Sequence, residues 1–143
     1  MLTASSETRT GTAGNDTILA LNNGDLGNGD IIDGGAGTDT LFAVVETAST
    51  LRPVVSSVEN VEFEVLNKTA GTAETFTANF DKSSGVQKVT VKNFTSDASD
   101  NDTVLISGVT TASSLKITDN VGGAVGGATD RANNFTMAYD GVS

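Results

Sequence analysis

Residues 11–42 read GTAGNDTILALNNGDLGNGDIIDGGAGTDTLF, and the rest of the chain takes its register from this run. Gly34-Gly35-Ala36-Gly37-Thr38-Asp39-Thr40-Leu41-Phe42 fits the nonapeptide pattern G-G-x-G-x-D-x-U-x, with U a large apolar residue, at every fixed position. Gly11-Thr12-Ala13-Gly14-Asn15-Asp16-Thr17-Ile18-Leu19 fits it with one departure, Thr12 in place of the second glycine. Asp30 and Asp39 are nine residues apart, as are Ile32 and Leu41, so Gly29–Asp33 reads as the strand half of a degenerate repeat. Asp16 and Asp39 are 23 apart, two repeats of nine plus an insertion of five at Leu21-Asn22-Asn23-Gly24-Asp25.

The spacing suits a hard cation. Calcium takes six to eight oxygen ligands at about 2.3–2.6 Å. A glycine-rich turn can aim several backbone carbonyls at one point, because glycine reaches positive φ without a Cβ clash. The aspartate that closes the turn adds a carboxylate, and the apolar residue after it starts a short strand. One repeat then supplies half a cage, and the turn at Gly11–Asp16 is expected to stack on the turn at Gly34–Asp39 with calcium between them. The candidate metal ligands in this run are Gly11, Ala13, Asn15, Asp16, Asp30, Gly34, Gly35, Ala36, Gly37 and Asp39.

Composition narrows the rest. With 18 acidic against 8 basic residues the formal charge is −10, which argues against nucleic acid and anionic membrane surfaces as partners and favours multivalent cations. The chain has no cysteine and no histidine, which removes disulfides, thiolate metal sites, a histidine general base and a Ser-His-Asp triad. No apolar run reaches the length of a membrane span, and Met1–Thr10 lacks the apolar core of a signal peptide. For an extracellular bacterial protein, either the exporter reads another signal or the chain is a piece of a longer one, and the second is the expectation.

Residues 1–10 read as a loose lead-in with room for a short first strand, 11–42 as a calcium-binding β-roll, and 43–143 as β-repeats continuous with it. Leu41–Val45 is an apolar strand. Val58-Glu59-Asn60-Val61-Glu62-Phe63-Glu64-Val65 alternates with period two, which buries one face and assigns Glu59, Glu62 and Glu64 to the solvated one. Further β-rich segments lie at Thr75–Phe80, Val86–Val91, Thr103–Ile106, Ser114–Thr118 and Asn134–Tyr139, separated by turn signals. Helix is confined at most to short pieces such as Thr47–Leu51. An antiparallel sandwich and a parallel solenoid both fit these strands. A sandwich calls for tight Asn-Gly or Asp-Gly turns, and the downstream half has a single one, Asp140-Gly141 at its very end, which favours the all-β solenoid.

Two weaker echoes follow. Asn101-Asp102-Thr103-Val104-Leu105 resembles Asn15–Leu19 and follows Asp97 and Asp100, but no glycine precedes it. Gly126-Gly127-Ala128-Thr129-Asp130 resembles Gly34–Asp39 with one glycine missing, and Asp119 lies across the Gly122-Gly123 pair. Asp102 and Asp130 are therefore further candidate calcium ligands.

Gly11–Leu19 and Gly34–Phe42 resemble the repeats-in-toxin (RTX) calcium-binding module. Together with the apolar strand after them and Val55-Ser56-Ser57-Val58-Glu59-Asn60-Val61, residues 8–66 are similar to the C-terminal part of Caulobacter-type surface-layer proteins. The resemblance implies type I secretion, a right-handed parallel β-solenoid headed by an RTX-type roll, several calcium ions, and a lattice that assembles only with calcium. The functional expectation is a non-enzymatic, calcium-binding structural module of a secreted cell-surface protein that folds and self-associates outside the cell. A cell-surface polysaccharide is a candidate partner; nucleic acid and membrane insertion are not expected. The alternative is an RTX-type folding or adhesion module of a larger secreted adhesin or enzyme. A polysaccharide lyase would need a basic catalytic residue, and Arg131, Lys88 and Lys92 are the only hints of one.

Overall fold

The computed structural model describes residues 1–46, 48–66, 75–92, 103–109, 114–118 and 134–138. Its strands are β1 (Thr8–Thr10), β2 (Thr17–Ala20), β3 (Ile31–Asp33), β4 (Thr40–Glu46), β5 (Thr50–Leu51), β6 (Val54–Ser56), β7 (Asn60–Leu66), β8 (Thr75–Asn79), β9 (Lys88–Lys92), β10 (Thr103–Ser107), β11 (Ser114–Thr118) and β12 (Asn134–Ala138). There is no helix among the described residues. Thr50 and Leu51, expected within a short helical piece, instead pair with Thr77 and Ala78 as strand β5.

The strands form three sheets, ordered β1-β3-β6, β2-β4-β7-β9-β11 and β5-β8-β10-β12. Every pairing between them is parallel, which rules out the antiparallel sandwich. Parallel neighbours cannot be joined by a tight hairpin, so the chain crosses to another sheet before it returns. Thr8 pairs with Ile31 and Ile31 with Val54, two steps of 23 residues. Thr17 pairs with Thr40, again 23, and Thr40 with Asn60, a step of 20. Later steps lengthen, with Asn60 on Lys88 and Lys88 on Ser114.

Constant register turns the period-two pattern into ladders. Ile18, Leu41, Val61 and Val89 lie side by side and are all buried, as are Ala20, Ala43, Phe63 and Val91 one pleat further on. Ile32 stacks on Val55, and Phe76 on Val104. The β-branched residues suit a pleated surface packed on one face. Phe63 joins the sheets: its ring meets Phe76 edge-on at 5.0 Å between centroids and reaches Phe80 at 6.4 Å.

The expected loose lead-in is tied down. Leu2 is fully buried, and its N–H donates to the Leu19 carbonyl at 2.7 Å on the outer edge of β2. The Thr3 N–H donates to Glu7 Oε2 at 2.7 Å, and Arg9 pairs with Glu7 Oε1 at 2.9 Å. The Thr3 N–H foremost, and then the Arg9 charge, hold the Glu7 carboxyl below its usual value against a desolvation that raises it.

Candidate metal centre

Three turns enter the largest sheet one after another, and they stack. The first, Gly11–Asp16, leads into β2; the second, Gly34–Asp39, leads into β4; the third, Ser57–Glu59, leads into β7. Backbone bonds join the first two: Gly11 N–H donates to the Asp33 carbonyl at 2.7 Å and Ala36 N–H to the Thr12 carbonyl at 3.1 Å. Side chains tighten the stack. The Thr38 N–H donates to Asn15 Oδ1 at 2.9 Å, and the Asp16 N–H to Asp39 Oδ1 at 2.7 Å.

The same device repeats one turn on, where the Asp39 N–H donates to Glu59 Oε2 at 2.8 Å. Asp16, Asp39 and Glu59 thus form one column of acids, each of the last two closing the turn before it. The sequence pattern assigns Glu59 to the solvated strand face and so misses it as a member. The missed signal was that Glu59 lies 20 residues beyond Asp39, just before a strand, as Asp39 lies 23 beyond Asp16.

The second turn is packed to the limit. A Cβ at Gly34 would run into the Ser57 carbonyl oxygen and fall 2.6 Å from Asp39 Oδ2. Ser57 is the one non-glycine residue at positive φ, 51°, among the described residues. Asp39 is fully buried, and its Oδ2 has no hydrogen-bond partner. A buried, unpaired carboxylate oxygen costs far more than a paired one. The oxygens gathered here, the Asp39 carboxylate and the Ser57 carbonyl, are the donors that calcium selects.

The first turn differs at one atom group. Asp16 is only partly buried, and its Oδ2 accepts both the Thr12 N–H at 2.6 Å and the Thr12 hydroxyl at 2.9 Å. In the second turn Gly35 occupies the corresponding place; it has no hydroxyl, and its N–H donates to Asp33 Oδ1 at 3.1 Å. Ala13 lies exposed in the first turn, and Ala36 in the second.

Asp30 belongs to a different column. It is 1% exposed, its Oδ1 accepts the Glu7 N–H at 2.8 Å and its Oδ2 the Gly27 N–H at 2.7 Å. It is therefore saturated by backbone donors and is not brought beside Asp16 or Asp39. Asp102 and Asp130, with Asp97, Asp100 and Asp119, lie outside the described residues. Among the described residues no three acidic, histidine or cysteine side chains converge. No described helix is long and apolar enough to cross a membrane, which says nothing of β-barrels.

No protein-family model, curated protein or solved structure matches the chain.

Proposed function

We propose that the chain is a calcium-binding structural module of a secreted bacterial surface protein, an RTX-type roll leading into a right-handed parallel β-solenoid that folds and self-associates when calcium binds. The observation that carries the reading is the buried, unpartnered Asp39 Oδ2 in a glycine turn stacked between two others. Parallel pairing at steps of 23 residues supports the architecture. In this reading Asp39 and the carbonyls around Gly34 hold the ion, Asp16 and Asn15 brace the turn before it, and the ion supplies the positive charge the column lacks. Because the cage does not exist in the unfolded chain, binding is coupled to folding. Extracellular calcium modules work at about 10⁻⁴–10⁻³ M; in millimolar calcium, about ten times the tighter of these constants, each site adds about 1.4 kcal/mol. A chain of net charge −10 stays loose where calcium is scarce and sets where it is abundant.

Self-association rests on the surface-layer resemblance of residues 8–66. One observation favours the second reading, a calcium-set module that serves another domain of an adhesin or enzyme without assembling. On edge strand β1, Arg9 stands in register with the buried Ile32 and Val55 and is ion-paired to Glu7. A charge at an inward register position blunts a sheet edge against added strands. Sedimentation velocity with circular dichroism, in chelator and in millimolar calcium, separates the readings. Folding with large assemblies supports the first, folding to a monomer supports the second, and no response to calcium overturns both.

A further inference from the structure

We propose that the cation is held at the second turn, between Gly34–Asp39 and Ser57–Glu59, and that in the first turn Thr12 takes the place of a cation. The inference rests on the calcium reading above but departs from the nonapeptide pattern, which places the ion by Gly11–Asp16 and Gly34–Asp39 alike.

One difference between equivalent positions carries it, and the neighbouring groups name the atoms. Asp16 Oδ2 is saturated by the N–H and hydroxyl of Thr12, while Asp39 Oδ2, fully buried, has neither. Oδ1 of Asp39 is already committed to the Asp16 N–H, so Oδ2 is the atom left for a ligand. The third turn fits no nonapeptide, yet it brings the Ser57 carbonyl against the Gly34 backbone beside that oxygen, as the Gly34 carbonyl stands against Gly11 beside Asp16 Oδ2, and Glu59 brings a second carboxylate to the Asp39 N–H. The donors are then Asp39 Oδ2, the Ser57 carbonyl and the Glu59 carboxylate. They are hard oxygens carrying two negative charges, which selects a divalent cation of the calcium type over a soft one. Three protein oxygens fall short of the six to eight that calcium takes, so water completes the shell and the affinity is modest. A hydroxyl at position 12 donates where a cation would otherwise attract, so one threonine converts a metal turn into a hydrogen-bonded one.

The test is calorimetric titration of the full 143-residue chain with calcium chloride, alongside D39N, D16N, E59Q and T12G. Thermal melts with and without calcium give the second readout. D39N is expected to lose one equivalent of bound calcium, or to weaken it at least about tenfold, and to lose the calcium-dependent rise in Tm. D16N keeps both, and T12G gains one equivalent. D39N binding like the wild type, or D16N losing as much as D39N, overturns the proposal. If circular dichroism shows D39N unfolded, E59Q and T12G decide: weaker binding in the first with an added equivalent in the second supports the site, and no change in either overturns it. A wild-type chain that takes up no calcium overturns the broader reading as well, whereas one that binds through Asp16 overturns this inference alone.

Discussion

The Asp16 backbone N–H lies 2.7 Å from Oδ1 of Asp39, so the acid of the second turn closes the first. This leaves Asp39 with one paired and one unpaired oxygen in a fully buried position. In chelator, D39N keeps the acceptor for Asp16 and removes a buried charge. It is expected to be at least as stable as the wild type, by about 1 kcal/mol. In millimolar calcium the order reverses. Urea unfolding in the two conditions checks it.

Asp30 gives the opposite result. Both of its oxygens accept backbone N–H groups, from Glu7 and Gly27. An asparagine must turn its NH₂ toward one of those donors, so D30N costs about 2 kcal/mol, the worth of a charge-assisted bond. The loss is the same with and without calcium in urea unfolding monitored by circular dichroism.

Two glycines at pattern positions are expected to differ. G34A drives a methyl group into the Ser57 carbonyl and costs about 3 kcal/mol, the upper range for overpacking. G14A meets only the Thr12 hydroxyl oxygen, at an ordinary 3.8 Å, and stays within about 0.5 kcal/mol of the wild type. Chemical denaturation of both variants in calcium measures the difference.

Ser57 holds φ at 51° in a column whose neighbours include Gly34 and Gly85. Left-handed backbone costs a side-chain-bearing residue about 1–2 kcal/mol, part of which glycine returns through its freer unfolded state. S57G is expected to gain about 0.5 kcal/mol, read as a higher urea midpoint at unchanged slope.

Glu7 sets part of the acid limb of stability. Its folded carboxyl titrates below the unfolded one, held down first by the Thr3 N–H. Its contribution is therefore complete above the unfolded value and is lost as pH falls through the folded value. E7Q is expected to be less stable than the wild type at neutral pH and to converge on it as pH falls below about 4.5, which flattens the acid limb. A series of thermal melts from pH 3 to about pH 7 tests it.

Much of the strand content was legible because parallel ladders keep residues of one face in register. The alternation expected at Val58–Val65 holds from Asn60 as β7, with Val58 and Glu59 in the turn before it, and the segments starting at Thr75, Thr103, Ser114 and Asn134 became strands at those residues. The 23-residue spacing of Asp16 and Asp39 was legible as a stack because both sit just before a strand. The short strands β5 and β6 were not, since two or three residues carry no period and Pro53 between them signals a bend. Glu59 was not, because it stands in the turn before β7, three residues from Glu62, where a period of two assigns no face.

Residue order alone set the all-β character, the stacking interval of the two glycine turns and the absence of histidine or cysteine chemistry, since each follows from local spacing or from composition. The partner of each carboxylate was settled only by the packed chain. Asp16, Asp30 and Asp39 look alike in sequence. Folded, both oxygens of Asp30 accept backbone N–H groups, Oδ2 of Asp16 accepts twice from Thr12, and Asp39 keeps one buried oxygen free. The difference arises because each acid is satisfied by whatever its own turn and its neighbours happen to offer, and those neighbours lie 20 or 23 residues away along the chain.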